Sequence, residues 1–543
     1  MGNQEIMSPS VQALTARCFS PFGGRDLIQL AIVVAITALV YQFLKHAMLV
    51  IENRWPPGLF AVLGGVFLLG LAHARWTYAG LSPAYRILLS GTALVLAFYC
   101  ATAYWLFPSD AEWQIVMALY VSQAVAVCSG IGALWRPVLA LVPGVYVLLA
   151  KAWTKLLAPL PELSATDYMP LVDCVAFLSL GLIAFRVLSR QWLFSRSLSR
   201  VDEEAATRML FLIAVGIHLG NYFHSAMAKL LLPGGAILWV FDNATHNLIP
   251  VTLDGGFLPI GHWPVLSAWT YDTFAKIVSL SNAIILIGQL AAVVAVLRAR
   301  WIIGITVFYD FTHVVIFLVS GILFWKWILL NGVIVAAAAK LRGSELSRSE
   351  IVAASLAVVL GTTCFFAARL GWYDTSAYNR ASIYAVTKSG QEVAVPTNYF
   401  LGASVSFAQM RLGSPEPDQH LPTLTWGSTT SPKIVRAARA CDFTHMPLGN
   451  PYPFEASQFT QLIRRHHQTM LSHVDADGHF AYDWYPHHIW SNPFLFRPFA
   501  TLDIRSILAY RYVVEAVCLD FSGGKMRRRV LHRSEALIEV GNE

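Results

Sequence analysis

His218-Leu-Gly-Asn-Tyr-Phe-His-Ser-Ala-Met-Ala-Lys229 is the stretch that decides how this chain folds, because it sets polar side chains inside an apolar run. A helix advances by about 100° per residue, so five polar side chains of this stretch share one face. They are His218, Asn221, Tyr222, Ser225 and Lys229. Polar groups within a membrane are costly unless they pair or serve a function. The stretch therefore predicts a transmembrane helix whose polar wall faces the interior of a bundle.

The composition of the whole chain is typical of a protein that crosses the membrane many times. Of its 543 residues, 56% are hydrophobic and only 13% are charged. Apolar runs near the roughly 20 residues needed to cross a bilayer recur through residues 1–370, and they predict an all-α bundle of about 11 transmembrane helices. The expected spans are about 27–51, 58–74, 87–107, 114–135, 137–153, 169–188, 207–232, 279–297, 301–319, 321–340 and 351–369.

Basic residues in short loops predict the orientation of these spans. Arg86, Arg136 and Arg298 lie in alternate loops, and such residues tend to stay on the cytoplasmic side. With a cytoplasmic N-terminus, residues 371–543 emerge on the extracytoplasmic side, as expected for a bacterial inner-membrane protein. The net charge of +7 reflects this loop bias together with the basic run Lys525–Arg529, so nucleic-acid binding is not indicated.

After residue 370 the long apolar runs end and shorter alternating stretches begin. Alternating residues in Ser382–Thr387 and Tyr510–Cys518 predict strands, and Phe454–His473 predicts a helix. Asp477-Gly478 is typical of a hairpin turn. We therefore expect residues 371–543 to form a strand-rich α+β domain outside the membrane.

Two of the seven cysteines, Cys441 and Cys518, lie in this outer domain. An extracytoplasmic compartment permits a disulfide between them. The spacing of the cysteines matches no zinc motif.

Lys229 is a candidate general base. Removal from water favours the neutral amine of a lysine, which can accept a proton. Tyr222 and Ser225 would orient the amine or a ligand, together with His218 and Asn221. The alternative interpretation is that the lysine extends to the membrane interface and has no chemical role.

The loop after this helix combines aromatic surface with polar groups. Asp242, His246 and His262 stand among tryptophans and phenylalanines, a mixture that suits a flat amphiphile such as a quinone. The alternative is an interfacial aromatic belt in which the polar residues cap short helices.

A second polar cluster follows in Phe308-Tyr-Asp-Phe-Thr-His313. Asp310 and His313 are one helical turn apart, a spacing that lets a carboxylate fix the tautomer of an imidazole or lets both residues bind a metal. Two ligands do not complete a metal site, and the sequence does not bring further histidines to them. We therefore predict no metal centre here.

Two motifs resemble the membrane core of vitamin K-dependent gamma-carboxylases and their bacterial relatives, the horizontally transferred transmembrane domain. Asn221–Leu230 is similar to that family's helix of aromatic and small residues ending in Lys-Leu. Phe308–Ile328 resembles its later segment, which contains a histidine and a Gly-Ile-Phe-Pro-Trp-like sequence. The resemblance covers about residues 170–340, and the order of elements, with an outer domain afterwards, agrees with the family.

The resemblance implies that Lys229 deprotonates reduced vitamin K and that His313 matches a histidine of the later segment. The carboxylase reaction would then follow, with a peptide glutamate as substrate. Three features depart from the family pattern. No His-Tyr-Tyr-like patch occurs around Leu171–Phe177, Lys326 replaces the usual proline, and the outer domain is smaller than that of the animal enzymes.

The leading hypothesis is a carboxylase-like membrane protein with one pocket for a quinone-like or other lipid-soluble ligand. The pocket would combine the Lys229 face, the loop from Asp242 to His262 and the helix carrying Asp310 and His313. A non-enzymatic scaffold is the alternative, in which the polar face binds a membrane protein partner and the spans hold the outer domain at the lipid surface. Transport is a third hypothesis, although transporters commonly carry internal repeats and we find none.

Overall fold

The computed structural model describes residues 24–73, 75–102, 113–157, 167–189, 202–341, 345–449, 454–480, 488–522 and 525–540. Helices dominate up to residue 360, and strands occur from residue 373 onward. The helices of the first part are α1 (Gly24–Arg54), α2 (Gly58–Ala72), α3 (Pro83–Thr102), α4 (Trp113–Gly132), α5 (Leu141–Leu157), α6 (Met169–Leu188), α7 (Glu203–Leu230), α8 (Gly235–Asp242), α9 (Leu248–Gly255), α10 (Pro264–Leu290), α11 (Ala292–Ala295), α12 (Ala299–Ser320), α13 (Trp325–Ala338) and α14 (Arg348–Leu360).

Seven of the described helices are long and apolar enough to cross a membrane, namely α1, α3, α4, α6, α7, α10 and α12. The other four expected spans correspond to α2, α5, α13 and α14, which contain 13 to 17 residues. Residues 103–107, the end of one expected span, lie outside the described part of the chain. The mostly helical architecture and the presence of helices able to cross a membrane are thus as predicted, while the count of 11 spans and their orientation remain predictions.

Two helix boundaries lie far from those of the predicted spans. α10 begins at Pro264 instead of near residue 279, because the helix continues through Asp272 and Lys276, whose charges lower the hydropathy without breaking the helix. The last expected span ends early, as α14, at Leu360. After one turn of 3-10 helix, residues 364–372 are non-helical, and we call them the unwound segment.

Close packing of α14 against α7 positions the unwound segment. A Cβ atom on Gly216 would lie 2.5 Å from the Ala354 carbonyl oxygen, and one on Gly220 would lie 2.7 Å from the Val358 carbonyl oxygen. Only glycine allows this approach of two backbones, a common arrangement between membrane helices. The chain that leaves α14 therefore runs along the polar wall of α7.

The C-terminal region is built on an antiparallel sheet. Its strand order is β3-β2-β5-β6, and β1 pairs separately with β4. The strands are β1 (Tyr373–Asp374), β2 (Ala377–Thr387), β3 (Glu392–Val395), β4 (Ser428–Thr429), β5 (Ile507–Ser522) and β6 (Lys525–Glu539). The helices of this region are α15 (Ser404–Ala408), α16 (Pro432–Ala440), α17 (Ala456–Leu471) and α18 (Arg497–Ala500).

Most local predictions for this region are confirmed. The two predicted strands lie within β2 and β5, and the predicted helix is α17. Cys441 and Cys518 form a disulfide with a Cα–Cα distance of 6.0 Å. Asp477-Gly478 does form a turn, with Gly478 at φ 83°, but the described residues beside it are not in strands. Residues 481–487, part of the predicted hairpin, lie outside the described residues.

The C-terminal region inserts a short segment between helix ends of the bundle. The Leu323 N–H donates to the His488 carbonyl oxygen at 2.7 Å, and the Trp490 N–H donates to the Gly321 carbonyl oxygen at 3.0 Å. Gly321 has φ +70°, and a Cβ atom there would lie 2.2 Å from the Phe257 carbonyl oxygen. The expected span 321–340 is therefore broken at its start, and α13 begins only at Trp325.

Candidate functional site

The polar wall of α7 divides into two groups. Asn221, Ser225 and Lys229 bond to the unwound segment or its neighbours, whereas His218 and Tyr222 face α12 and α13. All five side chains are buried, as predicted. The two groups have different partners and different chemistry.

The first group satisfies the backbone of the unwound segment. The Ala368 N–H donates to Asn221 Oδ1 at 2.8 Å, and the Ser225 hydroxyl donates to the Ala368 carbonyl oxygen at 3.0 Å. Lys229 Nζ donates to the Leu370 carbonyl oxygen at 2.6 Å. Non-helical backbone at membrane depth is tolerated only where the protein supplies such partners. These side chains therefore explain how the chain can unwind here.

A carboxylate on α6 completes this arrangement. Asp173 Oδ2 accepts the Phe366 N–H at 2.6 Å. We call Asp173, Asn221, Ser225 and Lys229 the backbone clamp. The polar side chains of α7 and the backbone groups of the unwound segment thus satisfy each other's hydrogen bonds.

The number of hydrogen bonds made by the Lys229 ammonium equals the number of its N–H donors. Besides Leu370, its ammonium donates to Gln289 Oε1 at 3.0 Å and to the Ser225 carbonyl oxygen at 3.2 Å. An ammonium has three N–H donors, and all three have acceptors. The ammonium also lies 5.2 Å from the centre of the Trp239 ring. Proton transfer by Lys229 would require these contacts to break, so the geometry favours a structural role.

The clamp continues into the start of the C-terminal region. The Trp239 indole N–H donates to the Trp372 carbonyl oxygen at 2.9 Å, and the Trp372 indole N–H donates to Asp374 Oδ1 at 3.0 Å. The Asp374 N–H in turn donates to Asn243 Oδ1 at 2.7 Å. Burial raises the pKa of the Asp374 carboxyl group to about 6, although hydrogen bonds from the Trp372 indole and the Asn243 amide lower it.

The second group is organised by Asn331, a residue that sequence analysis missed. Asn331 Oδ1 lies 2.8 Å from His218 Nε2, and its Nδ2 donates to Asp310 Oδ1 at 2.7 Å and to Tyr222 Oη at 3.0 Å. Asn331 is completely buried. We call His218, Tyr222, Asp310 and Asn331 the Asn331 network. The available signal was a lone amide in the apolar run of α13.

This network fixes the tautomer of His218. Asn331 Nδ2 donates to Asp310 and Tyr222, so the amide oxygen of Asn331 is the atom that faces His218. In the neutral imidazole, Nε2 then carries the proton and Nδ1 is an acceptor. Among the described residues, His218 Nδ1 has no hydrogen-bond partner although it is buried.

His313 lies beside the network in a similar state. Its Nδ1 is buried without a hydrogen-bond partner among the described residues. The nearest oxygen of Asp310 is 4.0 Å away, too far for a hydrogen bond. Two buried imidazole nitrogens, those of His218 and His313, thus retain unused hydrogen-bonding capacity.

Aromatic rings surround these groups. The Tyr222 ring stacks on Tyr309 with 3.7 Å between centres, and the Trp327 ring lies 5.4 Å from His218 and 6.0 Å from His313. The Asp310 side chain is 22% exposed, while Phe311 beside it is largely exposed on the outer surface of α12. The arrangement combines flat apolar surfaces with polar acceptors at the edge of the bundle.

The loop residues predicted to complete the pocket have other partners. Asp242 pairs with Arg439, with 3.3 Å between Oδ1 and Nη2. The His246 ring packs on Tyr271 with 5.4 Å between centres. His262 Nδ1 lies 3.2 Å from the Asn492 amide nitrogen. These contacts fasten the loop to α10 and to the C-terminal region, and none of the three is a contact with Lys229 or His313.

A buried ionic cluster, which was not predicted from the sequence, lies near the start of α6. Lys326 Nζ lies 2.6 Å from Asp167 Oδ2, and His488 Nδ1 lies 3.4 Å from the same oxygen. Burial opposes ionisation of Asp167, but Lys326 and His488 hold its pKa well below the usual range. Lys326, noted above as replacing a proline, is therefore part of the junction between the bundle and the C-terminal region.

One group of potential metal ligands is found among the described residues. Asp475, Asp477 and His479 have ligand atoms within 4.8 Å of one another on a turn of the C-terminal region, and the two carboxylates are exposed. Asp475 Oδ1 already accepts the N–H groups of Asp477 and His479. The Asp310–His313 pair does not belong to a three-ligand group among the described residues.

Comparison with known proteins gives no match. No protein-family model matches the chain, and neither the curated proteins nor the solved structures include one that is significantly similar.

Proposed function

We propose that this chain is a gamma-carboxylase-like integral membrane protein that binds reduced vitamin K or another quinone-like ligand beside the Asn331 network and accepts a proton from it. One observation carries the proposal. The buried Nδ1 atoms of His218 and His313 lack hydrogen-bond partners among the described residues, beside a carboxylate and among aromatic rings. A hydroquinone offers hydroxyl donors on a flat ring and so complements both features.

His313 is the proposed proton acceptor. A histidine accepts a proton readily near neutral pH, and Asp310 would stabilise the resulting imidazolium ion. His218 would accept a hydrogen bond from the hydroquinone, while Tyr222 and Trp327 would pack against its ring. Asp310 at the bundle edge would be reached from the lipid, the phase in which such a ligand dissolves.

The proposal moves the general base from Lys229 to His313. The reason is the difference in hydrogen bonding described above, since Lys229 already has three acceptors. The kinship with carboxylases is part of the proposal and rests on the two sequence motifs. We include in the proposal that the chain carboxylates a peptide substrate, as the resemblance implies.

We further propose that the C-terminal region is extracytoplasmic, in a bacterial inner membrane with a cytoplasmic N-terminus. The disulfide between Cys441 and Cys518 supports this placement, because such bonds persist in oxidising compartments. Labelling of cysteines introduced at exposed positions of β6 in intact cells would test it.

Ligand binding provides the direct test. The purified protein in lipid nanodiscs would be titrated with reduced 2-methyl-1,4-naphthoquinone, comparing wild type with His218→Gln and His313→Gln. We expect an affinity about tenfold lower in each variant, the effect of losing one buried hydrogen bond. His224→Gln is the matched control, because His224 lies on the same helix but bonds to the Val359 carbonyl oxygen.

Equal affinity in the wild type and both network variants would overturn the site. Failure of the folded wild type to bind the probe would also contradict the proposal and would favour the non-enzymatic scaffold. In that case the partner would need a surface other than the clamp side of α7, which the unwound segment already covers.

A further inference from the structure

A large cavity lies between α1, α2, α5 and α6. Its volume is about 700 Å³, within the range of roughly 300–1,000 Å³ typical of small-molecule sites. Its lining shares no residue with the Asn331 network or with Lys229. Aliphatic side chains form most of the wall, so the cavity suits a largely apolar occupant.

The charged residues of the lining lie toward one end of the cavity. Glu52 is near the C-terminal end of α1, and Lys151 is in the second half of α5. Tyr168 immediately precedes α6. These positions fall at the same end of the bundle because α1 and α5 finish where α6 begins. Lys45, about two turns earlier on α1, lies deeper on the same wall.

The opposite end of the cavity is apolar. Leu141 begins α5, and Leu180 is three turns into α6. Leu69 of α2 and Val145 of α5 also line the wall. The cavity therefore has the polarity of an amphiphile, with a charged end and a hydrocarbon end.

The charge of the polar end favours an anion. Among the described residues of the lining, Lys45 and Lys151 contribute two positive charges and Glu52 contributes one carboxylate. The nearby carboxylate of Asp167 is paired with Lys326 at 2.6 Å. Lys151 Nζ lies 5.5 Å from the centre of the Tyr168 ring, so an ammonium and a phenol stand together at the cavity end.

We propose that this cavity binds one bilayer phospholipid, with its phosphate at Lys151 and Tyr168 and an acyl chain extending toward Leu141 and Leu180. An ammonium binds phosphate as a compact charge, and the aliphatic wall accommodates the chain. A free phosphate ion would leave the apolar volume without an occupant. This inference concerns a separate site and does not rest on the proposed function.

Lipid retention tests the proposal. Wild type, Lys151→Gln and Val145→Phe would be purified in detergent, and the retained phospholipid would be measured by native mass spectrometry. Lys151→Gln removes the cation, whereas Val145→Phe fills the apolar part. We expect about tenfold lower occupancy in each at limiting lipid, the effect of losing one charge-assisted hydrogen bond or the space for the chain. Lys340→Gln, at an exposed lysine, is the matched control and should resemble the wild type.

Two outcomes would overturn the proposal. Retention of the same phospholipid by wild type and Val145→Phe would indicate lipid bound outside the cavity. A retained molecule without phosphate that Val145→Phe excludes would indicate another class of amphiphile. Thermal unfolding identifies a misfolded variant. If either Lys151→Gln or Val145→Phe misfolds, lipid retention by the other variant tests the proposal. Hydroquinone binding by Val145→Phe should stay unchanged, which separates this test from that of the proposed function.

Discussion

The backbone clamp and the Asn331 network begin on the same face of α7 and differ in how far their hydrogen-bonding capacity is used. In the clamp, Lys229 has three acceptors and Asn221 bonds through both its oxygen and its nitrogen. In the network, the amide of Asn331 is satisfied, but His218 Nδ1 and the neighbouring His313 Nδ1 have no partner among the described residues.

This difference separates structural polar residues from candidate functional ones. A buried polar group without a partner costs free energy, so its presence calls for an explanation such as a ligand. A fully bonded group already has an explanation in the fold. By that criterion the hydrogen bonds of Lys229 are accounted for by the fold, and His218 and His313 are the candidates for ligand binding.

The largest expected effect is that of Lys229→Met on stability. The substitution keeps much of the side-chain volume but removes the ammonium donor from the oxygens of Gln289 and Leu370 and one of the two donors to the Ser225 carbonyl oxygen. We expect the free energy of unfolding to fall by about 4 kcal/mol, since several charge-assisted hydrogen bonds are lost. Unfolding titrations in mixed detergent would measure it, with Lys340→Met as the exposed control.

Unchanged stability in Lys229→Met would contradict the structural role that distinguishes the backbone clamp from the Asn331 network. It would return Lys229 to the role of candidate base. A stable variant that had lost only ligand-dependent activity would establish that role.

Asn331→Leu tests the other group. The substitution preserves volume but breaks the connections to His218, Tyr222 and Asp310, leaving the Asp310 carboxylate with one donor fewer. We expect stability to fall by about 3 kcal/mol and hydroquinone affinity to fall with it. Stability and binding would be measured on the same sample. Intact binding in a destabilised protein would show that Asn331 supports the fold without orienting the imidazoles.

The stability of the protein should depend on pH through Asp374, which lies where the backbone clamp meets the C-terminal region. The pKa of Asp374 is raised to about 6 from an ordinary value near 3.8. Its contribution to stability is therefore fully present below about pH 4 and is lost as pH rises through about 6, because ionisation then favours the unfolded state. We expect wild type to lose about 3 kcal/mol over this interval relative to Asp374→Asn.

The comparison with Asp374→Asn is needed because other groups titrate in the opposite sense. Burial lowers the pKa of His466 to about 3 and that of His467 to about 4, so both weaken the fold as pH falls below about 6.5. They contribute equally to both proteins and cancel in the difference. A difference that does not change with pH would contradict the burial assigned to Asp374.

Gln289→Leu should produce the smallest effect. It removes one of the three acceptors of Lys229 and leaves the two backbone carbonyls in place. We expect a loss of about 1 kcal/mol, as for a single hydrogen bond, measured by the same detergent titration. A loss as large as that of Lys229→Met would mean that the amide, and not the unwound segment, is the main partner of the ammonium.

Local features of the fold were predictable because they depend on local patterns. Alternation predicted β2 and β5, and apolar length predicted the long helices. The unwound segment was not predictable in this way. Residues 364–372 are mainly apolar, so they resemble a continuing span, and their backbone partners lie far away in the sequence on α6 and α7.

The candidate site was predicted only in part for the same reason. Helical periodicity placed His218 and Tyr222 on one wall, and a one-turn spacing joined Asp310 to His313. The residue that joins the two pairs, Asn331, is 21 residues from Asp310 and more than 100 from His218. Asp242, His246 and His262 were assigned by composition alone, which does not reveal that each has a different partner.

The insertion of residues 488–492 between helix ends sets an order of assembly during synthesis. Asp167 enters the bundle early in the chain, but His488 is made more than 300 residues later. Gly321 and Leu323 likewise wait for Trp490 and His488 as backbone partners. Because domains generally fold as synthesis proceeds, the bundle remains incomplete until the C-terminal region has been produced and docked. A chain truncated before residue 488 would therefore present unfinished helix ends to the cell's quality-control proteases.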